Sequence, residues 1–309
     1  MKDKLGRIRR FIGWLSYLEY RAPTMQIPRT GEYKSPKVIT GAMLAKLNAS
    51  APPARALREV EFQVFSQFGD DGIIQYLTQG LGIQERTFVE IGVEDYTESQ
   101  TRFLLVKDKW SGLVVDGSDK NVAYIHDDPI SMLFDVKARQ AFVTAENVND
   151  IITEGGVSGR IGLLSIDIDG MDYWVWNAVS VVDPAIVVIE YASLFGAERS
   201  IVVPYDPKFH RYYPDPSRLF YGASLGAMRH LAEAKGYVFI GTNSNGNNAY
   251  FVRREYAETP LIQALEPSYT LATFSEYGEP AHRYRGEEAV GLIRGKTVIN
   301  VLTGQEEPL

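Results

Sequence analysis

Strand-like and helix-like segments alternate along the chain from residue 70 onward. Short apolar runs that end in acidic or turn-forming residues predict buried strands, and these lie at 87–93, 112–118, 141–146, 160–170 and 185–191. Amphipathic or capped segments predict helices, at 70–81, 97–108, 118–126, 147–154, 172–181 and 222–235. Two further strands, 237–241 and 247–254, flank an Asn-Gly pair typical of a hairpin. This order predicts an α/β fold with a mostly parallel central sheet.

Composition limits the functions open to the chain. Its 309 residues are 45% hydrophobic and 23% charged, which is ordinary for a globular protein with one large domain. The net charge of -7 disfavours DNA or RNA as a partner, because nucleic-acid binders usually present a basic face to the phosphates. The chain has no cysteine, so any metal would be bound by Asp, Glu, His or carbonyl oxygens.

The first sixty residues differ in character from the rest. Residues 4–19 carry apolar side chains at three- and four-residue spacing beside basic residues, which predicts an amphipathic helix. We expect it to dock on its own domain or on a second copy in a homo-oligomer, in preference to a membrane surface. Its apolar run is too short to span a bilayer and lacks a convincing cleavage site, so a cytoplasmic location is expected. The predicted domains are an arm at 1–60, a catalytic domain at 61–258 and an extension at 259–309.

An acidic stretch follows the fourth predicted strand. In LLSIDIDGMDYWVW, residues 163–176, Asp167 and Asp169 are two positions apart and Asp172 comes soon after. A D-x-D at a strand end can serve a phosphatase nucleophile, the metal and nucleotide sugar of a glycosyltransferase, or a metal or base beside a methyltransferase cofactor. Asp172 stands where acidic residues favour the helix dipole, so we expect it to cap a helix beginning at Tyr173.

The ends of the predicted strands supply a candidate cofactor site. Ligands of open α/β sheets bind at the carboxyl ends of the strands, near the point where the strand order reverses. The polar or small residues chosen there are Glu90, Gly92, Asp116, Glu146, Asn147 and Asp167. Asp116 is the best candidate to bind ribose hydroxyls, because it follows the glycine turn by roughly 20 positions. The turn lacks G-x-G-x-x-G, which argues against a dinucleotide.

Six segments have a recognisable order and spacing: FVEIGVEDYTESQTRFLL (88–105), WSGLVVDGS (110–118), LLSIDIDGMDYWVW, VVIEYASLFG (187–196), VPYDP (203–207) and YGASLGAMRHLAEAKGYVFIG (221–241). Together they resemble class I S-adenosylmethionine-dependent methyltransferases, and more narrowly FkbM-like proteins that methylate sugar hydroxyls. Over residues 61–254 the resemblance implies a Rossmann-like, seven-stranded methyltransferase sheet whose last strand is antiparallel, with helices on both faces. It also implies S-adenosyl-L-methionine as cofactor and a carbohydrate or other small molecule as acceptor. The loop at 92–96 has one glycine where the family has G-x-G-x-G, and we expect it to take another route around the methionine moiety.

Asp167, Asp169 and Glu190 are the candidate metal ligands. Residues two apart on a strand face the same way, and Glu190 ends the fifth strand, so the three carboxylates can converge. Such oxygens suit Mg²⁺ or another divalent cation, which would lower the pKa of a sugar hydroxyl. The resemblance implies that Asp167 and Glu190 are ligands and that Asp169 is a ligand or the catalytic base. His210 is a second candidate for the base.

Alternatives to this interpretation stay open. Met171 stands where D-x-D-G phosphatases usually have threonine, and here the motif follows the fourth strand instead of the first. A D-x-D glycosyltransferase would leave the late helix and hairpin without a role. A non-catalytic scaffold is suggested by the single glycine of the cofactor loop. Tyr205, Tyr212 and Tyr213 lie in a long Pro- and Tyr-rich segment and are candidates for the wall of an acceptor site.

Overall fold

The structure is a computed structural model that describes residues 35–211, 217–272, 276–277, 283–284 and 286–309. Its centre is a seven-stranded sheet formed by β1 (Thr87–Ile91), β2 (Ser111–Asp116), β3 (Val136–Gln140), β4 (Gly159–Ile166), β5 (Val182–Glu190), β7 (Tyr237–Thr242) and β8 (Asn248–Arg253). The order of the strands across the sheet is β3-β2-β1-β4-β5-β8-β7. The short strand β6 (Ile201–Val202) belongs to another sheet. Neighbours from β3 to β5 pair in parallel, and β8 is antiparallel to both β5 and β7. A reversed strand inserted at this place is the pattern of the methyltransferase sheet, so the predicted fold is confirmed.

Helices cover both faces of the sheet. One apolar cluster joins the sheet to α1 (Pro36–Ser50), α2 (Asp70–Gly80), α3 (Asp119–Asp127) and α4 (Ile130–Leu133). A second cluster, on the opposite face, joins it to α5 (Val148–Glu154), α6 (Asp172–Ala178) and α7 (Leu225–Ala234). Short helical turns lie at Leu57–Glu59, Leu104–Asp108, Ser193–Phe195 and Arg254–Tyr256.

The central strands β4 and β5 are buried on both faces. Leu163 and Val188 belong to the cluster beneath α1 and α2, whereas their neighbours Leu164 and Val187 belong to the cluster beneath α5 to α7. Because successive strand residues face opposite sides, a strand covered on both sides must be apolar at nearly every position. The unbroken apolar runs seen in the sequence follow from this burial.

Two predicted elements are corrected by the structure. The third strand is β3 at Val136–Gln140, and the segment predicted as that strand, 141–146, is a loop. In the described part of the chain, β3 pairs only with β2, and its residues are largely half-buried or exposed. Its polar sequence VKARQ therefore lacks the apolar signal of a strand. The helix predicted at 97–108 begins only at Arg102, because the residues before it bond to the carboxylate of Glu90.

The C-terminal part of the chain lies beyond β8 and consists of short elements. It contains α8 (Pro260–Gln263), β9 (Glu276–Tyr277), β10 (Arg283–Tyr284), α9 (Gly286–Ile293), β11 (Thr297–Asn300) and β12 (Gln305–Pro308). β11 lies between β6 and β12 in an antiparallel three-stranded sheet. Within the described ranges, no helix combines the length and apolar character that a membrane crossing requires. The helix predicted at 4–19, together with Tyr212 and Tyr213, lies outside the described residues.

Candidate functional site

A pocket with a cavity volume of about 550 Å³ opens at the carboxyl ends of the parallel strands. Strand β1 has β2 as its neighbour on one edge and β4 on its other edge, so the strand order reverses between β1 and β4. The pocket lies at this switch point, where open α/β sheets bind ligands. Its wall includes most of the predicted site residues: Glu90, Gly92, Asp116, Asp167, Asp169 and Glu190. The structure therefore brings together the ends of β1, β2, β4 and β5, as strand-end reasoning predicts.

Three predicted site residues are not part of the pocket wall. Asn147 accepts from the Thr144 amide (2.8 Å) and donates to the Phe142 carbonyl (2.9 Å), so it holds the loop whose residues do line the pocket. Glu146 is exposed and accepts from the Tyr205 hydroxyl at 2.5 Å, a bond that lowers the pKa of Glu146. The ring of His210 packs against Phe142, with 5.1 Å between the ring centroids.

Gly92 is required by the close approach of two strand ends. Its φ is 85°, and a Cβ built there would lie 1.6 Å from the carbonyl oxygen of Asp167. The Asp167 amide donates to the Ile91 carbonyl at 3.0 Å, and the Gly92 amide donates to the Val115 carbonyl at 2.8 Å. The one glycine of this loop is thus needed for packing between β1 and β4, and the following turns are made by non-glycine residues with positive φ, Glu94 and Tyr96.

Asp116 fastens the same loop to the start of α3. Its Oδ2 accepts from the Glu94 amide (2.8 Å), and its Oδ1 accepts from the Ser118 amide (2.8 Å) and the Asn121 side chain (3.0 Å). A carboxylate offers about four lone-pair positions. Asp116 therefore keeps capacity for a further donor while it orders the loop.

Glu90 is a buried carboxylate whose acceptors are filled by the chain itself. It is 3% exposed, and its Oε1 accepts from the Gln100 amide at 2.8 Å. Its Oε2 accepts from the Ser99 hydroxyl at 2.7 Å, and from the amide and the hydroxyl of Thr101. Burial still raises the pKa of Glu90, and these hydrogen bonds oppose the rise. The arrangement shapes the backbone at 99–101.

The acidic cluster differs in membership from the predicted metal set. Asp167, Asp172 and Glu190 each bring a carboxylate oxygen within 4.8 Å of the other two. Asp169 has a positive φ of 58° and instead meets Arg211, whose Nη1 lies 2.7 Å from its Oδ1. Asp172, expected only to cap a helix, is a member of the cluster.

Asp172 also holds the turn between β4 and α6. It is the first residue of α6 and is 1% exposed. Its Oδ1 accepts from the Ile168 amide (2.8 Å) and its Oδ2 from the Gly170 amide (2.9 Å). Burial raises the pKa of Asp172 to about 6, against the effect of these bonds.

Like charges and burial act together on the other two members. Burial raises the pKa of Glu190 well above its ordinary value, and Asp167 and Asp169 raise it further. Burial likewise raises the pKa of Asp167, with Asp169 and Asp172 adding to the rise. Among the described residues, Glu190 Oε2 is buried with no hydrogen-bond partner. A buried carboxylate in this state favours a proton, a cation or a hydrogen-bond donor from a ligand.

Arg211 lines the pocket and is not among the site residues predicted from the sequence. Besides Asp169, its Nη1 lies 3.8 Å from Glu190 Oε1, and its guanidinium stacks 3.7 Å from the centroid of the Tyr221 ring. It lowers the pKa of both Asp167 and Glu190. The only sequence signal for it was its position next to His210, because its partners are distant in the chain.

Comparisons with known proteins give similarity in structure alone. No protein-family model matches the chain, and no curated protein matches it. Among solved structures it is similar to an O-methyltransferase from Bacillus cereus in complex with SAH, at 14% identity and TM-score 0.39 over 77% of this chain and 97% of that one. It is also similar to TomG, an O-methyltransferase from Streptomyces achromogenes involved in tomaymycin synthesis, in complex with SAM (13%, TM-score 0.38, 71% and 90%). A third is an S-adenosylmethionine-dependent methyltransferase from Clostridium acetobutylicum ATCC 824 (11%, TM-score 0.38, 60% and 90%). Because these scores are low, we infer the function from the pocket.

Proposed function

We propose that the protein is an S-adenosylmethionine-dependent O-methyltransferase. The observation that carries the proposal is the charge of the pocket at the switch point of a methyltransferase sheet. Among the described residues its wall holds two arginines, Arg211 and Arg218, against eight carboxylates, which are Glu90, Glu94, Glu98, Asp116, Asp167, Asp169, Glu190 and Asp206. Such a wall attracts a sulfonium cofactor and repels the diphosphate of a nucleotide sugar.

The cofactor would lie over the β1 and β2 half of the pocket. Asp116 Oδ2 accepts one hydrogen bond from the chain and can accept another from a ribose hydroxyl. Gly92 and the backbone beside it would face the methionine moiety, and Glu90 would act by ordering residues 99–101. Asn147 would contribute by binding the Thr144 amide in the loop at 141–144, which lines the pocket. Glu146 would contribute by accepting from the hydroxyl of Tyr205, another residue of the pocket wall.

A divalent cation fits the acidic cluster. Three carboxylates within 4.8 Å of one another, one with an oxygen that lacks a donor, have the oxygen chemistry that Mg²⁺ prefers. We propose Asp167, Asp172 and Glu190 as its ligands, with Asp169 next to them. When bound, the cation would lower the pKa of an acceptor hydroxyl.

Asp169 is the proposed proton acceptor for the hydroxyl that is methylated. It lines the pocket, and Arg211 fixes its orientation from 2.7 Å. The ring of His210 lies against Phe142, and His210 is not part of the pocket wall, which makes it the weaker candidate. Transfer then needs the hydroxyl oxygen in line with the methyl carbon and the sulfonium sulfur, so alignment supplies most of the rate.

A sugar hydroxyl is the proposed acceptor. The acceptor half of the wall combines carboxylates, which accept from hydroxyl groups, with the aromatic rings of Tyr205 and Phe209. Phe209 lies over the turn at Gly170, where a Cβ would be 2.3 Å from its ring. Polar acceptors beside aromatic faces suit a pyranose, whose edge is polar and whose face carries C–H groups.

Calorimetry with S-adenosylmethionine and S-adenosylhomocysteine tests the function directly. We expect both to bind the wild-type protein, and we expect Asp116→Ala to weaken both by at least about tenfold. The matched control is Asp119→Ala, which removes a nearby acid at the start of α3 that is not part of the pocket wall. No binding of either compound at millimolar concentration would sink the proposal.

Parallel titrations separate the alternatives. Loss of turnover in EDTA, restored by Mg²⁺ or Mn²⁺, would support the cation, whereas unchanged turnover would leave catalysis to the carboxylates alone. Binding of a uridine diphosphate sugar without S-adenosylmethionine would identify a glycosyltransferase, and hydrolysis of p-nitrophenyl phosphate a phosphatase. Binding of none of these compounds would leave the non-catalytic scaffold.

A further inference from the structure

Asn248 is a pocket residue whose amide oxygen has no hydrogen-bond partner in the described part of the chain. It begins β8 and is 2% exposed. It pairs with Glu190 across β5 and β8, so the two side chains leave the same face of the sheet. Glu190 Oε2 likewise has no partner. Two neighbouring strands thus place two buried acceptors without donors in one pocket.

The orientation of the Asn248 amide is set by Asp70. Asp70 is 1% exposed, and its Oδ1 accepts from Asn248 Nδ2 at 3.2 Å, from Asn243 Nδ2 at 3.1 Å and from the Tyr250 hydroxyl. The two ends of an asparagine amide are distinguished by their partners. Because the nitrogen faces Asp70, the oxygen is the atom left for a ligand.

These two acceptors lie at the ends of other strands than the proposed cofactor groups, in the other half of the sheet's carboxyl edge. Gly92 and Asp116 are at the ends of β1 and β2, whereas β5 and β8 follow beyond β4. A donor that reaches Glu190 and Asn248 therefore belongs to the acceptor molecule. A buried acceptor without a donor is unfavourable, so the site favours a molecule that brings a donor to Asn248 Oδ1 over one that does not.

We propose that Asn248 determines acceptor specificity: its Oδ1 accepts a hydrogen bond from a second hydroxyl, vicinal to the hydroxyl that is methylated near Glu190. The inference rests on the proposed function and deepens it, because it names the acceptor class as a vicinal diol on a pyranose ring. Asp70 is a positioning residue that turns the Asn248 oxygen toward this hydroxyl.

The experiment uses the full chain saturated with S-adenosylhomocysteine, whose binding is first measured alone. The probes are the methyl pyranosides of rhamnose, mannose and glucose, each with its monodeoxy derivatives, and the readout is the dissociation constant from saturation-transfer NMR. We expect at least one glycoside to bind, and we expect removal of one vicinal hydroxyl to weaken it about 10- to 100-fold. In Asn248→Ala this preference should disappear, because the vicinal hydroxyl of the glycoside then has no acceptor and the glycoside gains nothing over its deoxy derivative.

Tyr250→Phe is the matched control. It removes another donor to Asp70 from a residue that is buried like Asn248 but does not line the pocket, so the preference should persist. Asn248→Val, which also lacks an acceptor, replaces Asn248→Ala if the latter does not fold. Failure to bind S-adenosylhomocysteine would refute the proposed function. Normal cofactor binding with no glycoside bound, or an unchanged preference in Asn248→Ala, would overturn only the role of Asn248. Equal loss of the preference in Tyr250→Phe would also overturn it, by making the effect structural.

Discussion

Glu90 and Glu190 are buried glutamates at the ends of two strands of one sheet, and both line the same pocket. They are 3% and 6% exposed, so access to water does not distinguish them. Both oxygens of Glu90 accept hydrogen bonds from residues 99–101, while Glu190 has an unpartnered Oε2 and meets Arg211 only at 3.8 Å. A carboxylate that the chain has saturated builds structure. One that lacks donors is open to a ligand.

Replacing Glu190 should abolish most of the activity without harming the fold. We expect Glu190→Gln to lower kcat by at least about 100-fold, the scale of a lost proton-transfer or charge-stabilising group. The free energy of unfolding should stay equal or rise, because the substitution removes a buried charge that Asp167 and Asp169 repel. Steady-state kinetics and urea denaturation check the two parts. A variant that keeps wild-type turnover would show that Glu190 resembles Glu90 after all.

Replacing Glu90 should give the opposite result. In Glu90→Gln an amide nitrogen faces donors at residues 99–101, and we expect the free energy of unfolding to fall by about 3 kcal/mol. Turnover at low temperature, where the variant stays folded, should fall much less than in Glu190→Gln. Glu85→Gln is the control, since Glu85 contributes only a partly exposed ion pair with Arg160. Unchanged stability in Glu90→Gln would remove the structural half of the comparison.

Asp71 has one carboxylate oxygen with hydrogen bonds, as in Glu90, and one without a partner among the described residues, as in Glu190. The pH dependence of stability can therefore show which of the two arrangements dominates. Its Oδ2 accepts from the amides of residues 64–66 and from the Ser66 hydroxyl, while its Oδ1 is buried without a partner in the described chain. Burial raises the pKa of Asp71 from 3.8 to about 6. Between these values the folded state binds the proton more tightly than the unfolded chain, so stability falls as pH rises through this window.

Asp71→Asn removes this titration and keeps an oxygen for the amides. We expect the wild type to lose about 2 kcal/mol relative to Asp71→Asn between about pH 4 and pH 7, in urea denaturation at several pH values. If the two proteins show parallel profiles, the bonds to Oδ2 fully offset the effect of burial on the pKa of Asp71.

Local pattern and strand-end position explain what could be predicted from sequence. The apolar runs of β4 and β5 are long enough to identify two central strands, and from their ends followed Asp167 and Glu190. β3 was missed because an edge strand with exposed polar residues has no apolar signature. The acidic cluster contains Asp172 in place of the predicted Asp169. The reason is a positive φ of 58° at Asp169, which turns its side chain toward Arg211. Residue types alone do not encode this turn.

Long-range contacts explain what sequence reasoning could not reach. Arg211 meets Asp169 across 42 positions, and Asn248 meets Asp70 across 178. Neither residue belongs to a local motif, because each takes its role from a partner on another element. The loop at 141–144 shows the same limit. The sequence predicts Glu146 and Asn147 at a strand end, but β3 ends at Gln140, and the residues of the loop line the pocket instead.

Arg211 lies near Glu190 and lowers its pKa, which partly offsets the effect of burial. Removing Arg211 should therefore make Glu190 differ more from Glu90. We expect Arg211→Met to lower kcat about tenfold, because Asp169 loses the cation that orients it while remaining half exposed. The pocket also becomes more negative, so the affinity for the cationic S-adenosylmethionine should rise about twofold relative to the uncharged-sulfur product S-adenosylhomocysteine. Arg218→Met is the matched comparison, because it removes the same charge from the same wall but leaves the Arg211–Asp169 ion pair in place. Calorimetry with both compounds separates these effects: lower affinity for both would mean that Arg211 shapes the pocket, whereas a changed ratio with reduced turnover means that it acts through charge.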